Sequence, residues 1–124
     1  MTKVTLLPHS QRHFLVDAVT SWGYPFDLEK YQDHLVMLQI GEAIAYVWFE
    51  FASETTGLLH GCADPGHRGR WLTRSVIEKI KHAAELFWFD ELVISSADPK
   101  VRNLCRKIGF VDDREIEKIA RLNL

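Results

Sequence analysis

The stretch GCADPGHRGRWLTRSVIEKIKHAAELFWF, Gly61 to Phe89, constrains the fold more than any other part of the chain. It ends an apolar run, turns through Asp64-Pro65-Gly66 and offers His67-Arg68-Gly69-Arg70. It then continues at helical spacing, with Leu72, Val76, Ile80, Ala83 and Phe87 on one stripe widened by Ile77, Ala84 and Trp88. A strand feeding a glycine-bearing basic loop that opens a helix makes a phosphate cradle. The first N–H groups of a helix lack intrahelical partners, and the helix dipole favours an anion there.

The rest of the chain supplies strands and helices around this unit. Val4 to Leu7 is β-prone and stops at Pro8. Ser10 is positioned to cap a helix carrying Phe14, Leu15, Ala18, Val19 and Trp22, and Tyr24-Pro25 then breaks the chain. Asp27 to Asp33 reads as a short second helix. Leu35 to Ile40 is a strand, Gly41-Glu42 a tight turn and Ala43 to Phe51 a longer strand, apolar on both faces and therefore expected mid-sheet. Leu58 to Cys62 and Leu92 to Ser96 are further strands. Asp98-Pro99 starts a helix that Gly109 stops. Ile116, Ile119 and Leu122 have helical spacing, but Ala120, Leu122 and Leu124 alternate, and the tail is read as a closing strand.

The order β-α-(α)-β-β-β-α-β-α-β predicts a single α/β domain over residues 1–124, a mixed sheet with helices packed against it. A net charge of −2 argues against a general nucleic-acid binder. No apolar run approaches the roughly 20 residues that span a bilayer, and the first residues lack a signal-peptide core, so no membrane partner is expected. The two cysteines, Cys62 and Cys105, read as reduced thiols of a cytoplasmic protein.

Element order and two local motifs together resemble the GNAT superfamily of acyl-CoA N-acyltransferases. Ala63-Asp64-Pro65-Gly66-His67-Arg68-Gly69-Arg70-Trp71-Leu72-Thr73 is similar to that family's strand, Pro, then Arg-x-x-Gly-x-Gly/Ala loop. Asp98-Pro99-Lys100-Val101-Arg102-Asn103-Leu104-Cys105-Arg106-Lys107-Ile108-Gly109-Phe110 looks like its late segment Asn-x-x-Ala-x-x-Leu-Tyr-x-Lys-x-Gly-Phe. The resemblance implies a central, mostly antiparallel sheet flanked by helices, with acetyl-CoA as co-substrate and no metal. It implies direct attack by a small-molecule amine or a protein amino group in a ternary complex, and relatives that pair as homodimers. Arg68, Gly69 and Arg70 would hold the pyrophosphate with N–H groups from Gly69 to Leu72, and Cys62, Trp71, Leu72 and Thr73 complete the expected cofactor-binding set.

The pattern departs from the family where chemistry is expected. Trp71 occupies a glycine position and Thr73 the final Gly/Ala position, Asp98 replaces the usual Asn, and Cys105 stands where many members carry the Tyr that protonates the CoA thiolate. These departures open a second reading, a GNAT-fold protein without catalysis, used in binding or assembly, for example with virion partners in a bacteriophage.

Acetyl transfer needs a base for the amine and an oxyanion donor on the central strands. The bases available are His60, on the strand before the loop, and Glu50, near the end of the long strand and otherwise a surface charge at a sheet edge. Cys105 is the acid at the Tyr position, with a buried small hydrophobe as its plain alternative. His60-x-Cys62 places two metal-capable side chains on one strand face, but no further pair stands at zinc spacing. Tyr46 and Trp48 read as packing residues.

Overall fold

The computed structural model describes residues 2–27 and 35–124. Its strands are β1 (Val4–Leu7), β2 (Leu35–Ile40), β3 (Ala45–Phe51), β4 (Thr56–Ala63), β5 (Glu91–Ser95), β6 (Val111–Asp112) and β7 (Ile119–Asn123). Its helices are α1 (Arg12–Ser21), α2 (Arg74–Leu86) and α3 (Pro99–Ile108). The helix read over Asp27 to Asp33 lies outside the described residues except at Asp27.

One sheet holds all seven strands in the order β1-β2-β3-β4-β5-β7-β6. Every pairing is antiparallel except β4 with β5. The two-faced apolar pattern of β3 explains its central position. Ala45, Val47 and Phe49 enter the core under α2 and α3, while Tyr46 and Trp48 enter a second cluster with Leu15 and Val19 of α1. The alternating tail is a strand: Ala120 and Leu122 are buried against β5.

The parallel β4–β5 pairing covers only Thr56–Leu58 against Glu91–Val93. Beyond Leu58 the two strands have no shared register, and β4 runs on to Ala63 with its β5-facing edge open. An open strand edge inside a sheet presents backbone donors and acceptors to whatever enters the gap.

Three local expectations are corrected. Ser10 is not the cap of α1; it sits in a 3-10 turn, His9–Gln11, and Gln11 precedes the helix with no side-chain cap bond. The long strand starts at Ala45 rather than Ala43, because Ala43 takes a positive φ of 64° inside the turn. The apolar stripe of α2 is shorter than the sequence pattern. Leu72 precedes the cap Thr73, and the helix ends at Leu86. There the N–H of Phe89 bonds the carbonyl of Ala84 and that of Trp88 the carbonyl of Glu85, with Trp88 in the left-handed region at φ 69°. This is a Schellman end, whose left-handed position is usually glycine; a Trp there hid the stop. Phe89 is buried instead, and Trp88 is 84% exposed.

The end of α3 follows the sequence closely. The Asp98 side chain accepts from the Lys100 N–H at 2.9 Å, and Gly109 takes φ 117°. Arg102 and Arg106 of this helix both donate to Asp112 of β6, at 2.6 and 2.7 Å. These hydrogen bonds, that from Arg106 foremost, hold the Asp112 carboxyl below its ordinary 3.8. Backbone N–H groups of Glu115 and Ile116 do the same for Asp113. A depressed folded value stabilises the fold above the ordinary carboxylate range, and the contribution is lost as pH falls through the folded value. Asp112→Asn should therefore lower the urea midpoint at pH 7, and its gap from wild type should close on acidification. A gap that persists unchanged at pH 2 would show that the charge is not its source.

Candidate functional site

Two adjoining cavities occupy the gap between β4 and β5. The outer one, about 440 Å³, lies between the end of α1, the Arg68–Leu72 loop and the start of α3. The inner one, about 330 Å³, runs past Gly61 to Ile77 and Ile80 of α2, Ile94 to Ser96 at the end of β5, and Cys105 and Phe110. Tyr24, Gly61, Trp71, Leu72 and Val101 line both, so the two form one groove.

The loop at the mouth is built by capping. Asp64 accepts from the Gly66 N–H at 2.8 Å and fixes the turn Pro65–His67, after which Gly69 takes φ 79°. The space around the Gly69 Cα is open, with no atom within 4 Å of where a Cβ would stand. Of the four N–H groups expected to face an anion, that of Arg70 is already bonded to the His67 carbonyl at 3.1 Å. Those of Gly69, Trp71 and Leu72 carry no hydrogen bond among the described residues. Arg68 and Arg70 are exposed, and the Arg68 guanidinium donates to the Trp22 carbonyl at 2.6 Å across the mouth. Thr73 caps α2, its Oγ1 accepting from the Val76 N–H at 3.2 Å. That gives the residue at the final Gly/Ala position a structural task independent of any ligand.

Farther along the groove the structure joins two residues that the sequence separated by ten positions. His60 Nε2 lies 2.9 Å from Glu50 Oε2, and both side chains are about three-quarters buried, at 23% and 25% exposure. Glu50 is therefore not a lone surface charge. Its neighbour on β4 in register is Leu58, while His60 stands opposite Trp48, so the pair meets diagonally across two antiparallel strands. The His60 ring also stacks on Trp48, with centroids 5.6 Å apart and planes 16° from parallel. An ionised carboxylate only accepts, so the shared proton belongs to Nε2 and the basic lone pair to Nδ1. The carboxylate on one side and the indole beneath fix the orientation of the ring.

Cys105 is placed differently. It is buried in the inner cavity wall, and burial pushes its thiol up to about 11 despite the nearby Arg102 charge. A thiol at that value is a weaker acid than an ordinary thiol, so donating to a departing thiolate would be uphill. The role of acid expected at this position does not suit it, and a packing role does. Cys62 lines the outer cavity; burial raises its thiol, and the Arg68 charge and a backbone hydrogen bond partly offset this.

The groove also uses residues that sequence reasoning passed over. Trp22 and Tyr24 form one wall of the outer cavity, where the sequence suggested only a helix end and a break. The alternation Trp22, Tyr24, Phe26 was the available signal, and the three are half-buried at alternate positions. Ser95 and Ser96, at and just past the end of β5, and Lys100 and Val101 in the first turn of α3 also line the groove, where only a strand, a helix cap and an apolar helix side were legible. Tyr46 and Trp48 are buried, as their packing role required.

No family model matches the sequence, and no curated protein matches it significantly. Solved structures do. The GNAT domain of S. lividans PAT superposes with a TM-score of 0.71 at 16% identity, over 99% of this chain and 90% of that one. A variant of the spermidine/spermine N-acetyltransferase of Vibrio cholerae gives 0.73 at 13% identity, over 99% and 95%. The spermidine N-acetyltransferase of the same organism, in complex with CoA and spermine, gives 0.70 at 12%, over 99% and 94%. At such identities the likeness is one of fold: the chain has the GNAT acyltransferase fold in a divergent sequence.

Proposed function

We propose that this GNAT-fold chain is an acetyl-CoA-dependent N-acetyltransferase acting on a small-molecule amine. The observation that carries the reading is the split between β4 and β5, with a basic glycine loop at its mouth and the His60–Glu50 pair along its wall. Arg68, Gly69 and Arg70, with the N–H groups of Trp71 and Leu72, would take the pyrophosphate, Arg68 exchanging the Trp22 carbonyl for a phosphate oxygen. Cys62 and Leu72 would flank the arm that follows, while Thr73 holds the helix start in place. The open edge of β4 past Leu58 would pair with the amides of the pantetheine arm and supply an N–H for the thioester oxygen as it becomes negative.

His60 is the proposed general base. Nδ1 takes a proton from the amine as it attacks the thioester carbon, and Glu50 stabilises the imidazolium that forms. Collapse of the tetrahedral adduct breaks the C–S bond, and the CoA thiolate leaves with a proton from that imidazolium rather than from Cys105. The structures with spermidine-acetylating activity in their names support a small amine as acceptor; a protein amino group is the other chemistry that fits. The dodecameric form of the Vibrio cholerae enzyme supports a homo-oligomer. The two free thiols suit a cytoplasmic protein.

Calorimetric titration with acetyl-CoA tests the reading. Micromolar affinity, about −8 kcal/mol, is the expected result. Arg68→Ala combined with Arg70→Ala should raise Kd about 10–100-fold, the loss of two charge-assisted contacts partly screened by solvent. Both side chains are exposed, so the thermal midpoint without ligand should not move. No heat and no thermal stabilisation with millimolar acetyl-CoA would sink the enzyme and leave the non-catalytic reading.

A further inference from the structure

Trp71 sits where the two cavities meet. It is half-buried, lines both cavities and lies against Gly61 of β4. A Cβ placed on Gly61 would meet Trp71 Cη2 at 3.0 Å and Cζ2 at 3.3 Å, so the indole fills the space that the missing side chain leaves. Gly61 belongs to the segment of β4 that has lost its β5 partner, and the ring therefore lies on the face of β4 beside the open edge where an extended ligand would pair. Across the mouth, the Arg68–Trp22 hydrogen bond ties the loop to the end of α1. The ligand-free groove thus carries two obstacles, an indole where its two cavities meet and a guanidinium bonded across its entrance.

We propose that Trp71 is the gate of the acyl-CoA groove, seated on Gly61 when the groove is empty and displaced when the pantetheine arm enters. This rests on the acetyl-CoA reading above. The main chain around the ring favours a side-chain swing over a loop rearrangement. The Thr73 N–H bonds the Trp71 carbonyl at 3.1 Å, and the Thr73 hydroxyl caps α2, so the residue is anchored on its C-terminal side. On the other side Gly69 stands in open space. Rotation about the first two side-chain bonds then frees the edge without disturbing the helix. A single phosphate-site variant would not open the groove, because Arg68 and Trp71 obstruct different parts of it.

A gated site binds more weakly than an open one by the fraction of time that it is open. With the open state at or below about a tenth, removing the ring should tighten binding about tenfold or more. The test uses the full chain labelled with 5-fluorotryptophan, the Trp71 resonance being assigned from Trp71→Phe, together with calorimetry on wild type and Trp71→Ala. Melting curves confirm that each variant is folded.

The expected result has two parts. Saturating acetyl-CoA moves the Trp71 fluorine resonance toward that of solvent-exposed tryptophan, and Trp71→Ala binds acetyl-CoA about tenfold or more tighter than wild type. A Trp71 resonance unmoved at calorimetric saturation overturns the gate, as does an alanine variant that binds no tighter. Binding by Trp71→Ala with none by wild type also overturns it, showing a fixed plug. No binding by either titrated protein removes the acetyl-CoA reading itself, and the gate with it.

Discussion

His60→Ala lowers kcat for acetyl transfer by about 10²–10⁴-fold, the usual contribution of a positioned general base. Its acetyl-CoA affinity should stay close to wild type, because the loop proposed to hold the pyrophosphate lies at the other end of the groove. The loss then falls on kcat rather than on cofactor binding, which steady-state kinetics with a spermidine-type amine, beside calorimetry, would resolve. Glu50→Gln should cost less. Its amide oxygen still accepts the Nε2 proton, but it offers no negative charge to the imidazolium. A His60→Ala enzyme with wild-type kcat would remove the base from the mechanism and leave the His60–Glu50 contact a structural ion pair.

Trp48→Ala destabilises the domain by about 3–5 kcal/mol, a large share of the roughly 5–15 kcal/mol that holds a domain of this size. Trp48 is fully buried, takes the edges of Tyr24 and Phe26 at centroid distances of 5.2 Å and stacks on His60. Its removal empties the cluster between the sheet and α1. Trp48→Phe should cost far less. It keeps an aromatic surface under His60 and deletes an indole N–H that is buried with no hydrogen-bond partner among the described residues. Urea unfolding reads both variants, and a loss below about 1 kcal/mol for the alanine would mean that the cluster collapses to refill the space. Activity links the two predictions: the phenylalanine variant should keep most of its kcat if the stack only orients His60.

Much of the fold was legible because its signals are local. Two-sided apolarity placed β3 inside the sheet rather than at its edge, Asp98 and Gly109 bounded α3, and the Asp64-Pro65-Gly66 turn set the loop before α2. The failures were local too, at points where an unusual residue took a familiar position. Trp88 stands in a left-handed position that glycine usually fills, so the helical stripe seemed to run on. Thr73, at the final Gly/Ala position of the loop pattern, also caps α2, a task not assigned to it from the sequence.

The site divides along the same line. The sequence by itself determined the loop, its charges and the identity of the groups able to move a proton, since each depends on residue type and short-range spacing. Only the tertiary structure decided which of those groups meet. Glu50 and His60 become partners because the β3–β4 register sets Trp48 opposite His60, and no pattern within either strand encodes that register. The groove exists because β4 and β5 share three residue pairs and then part, and Trp71 packs on its wall because Gly61, ten residues earlier, has no side chain to exclude the ring. Burial separates the two candidates: the same packing that leaves His60 paired and partly open to the groove encloses Cys105 and raises its thiol to about 11. Charge and spacing are properties of a segment, but contact and desolvation arise only when segments distant in sequence pack together.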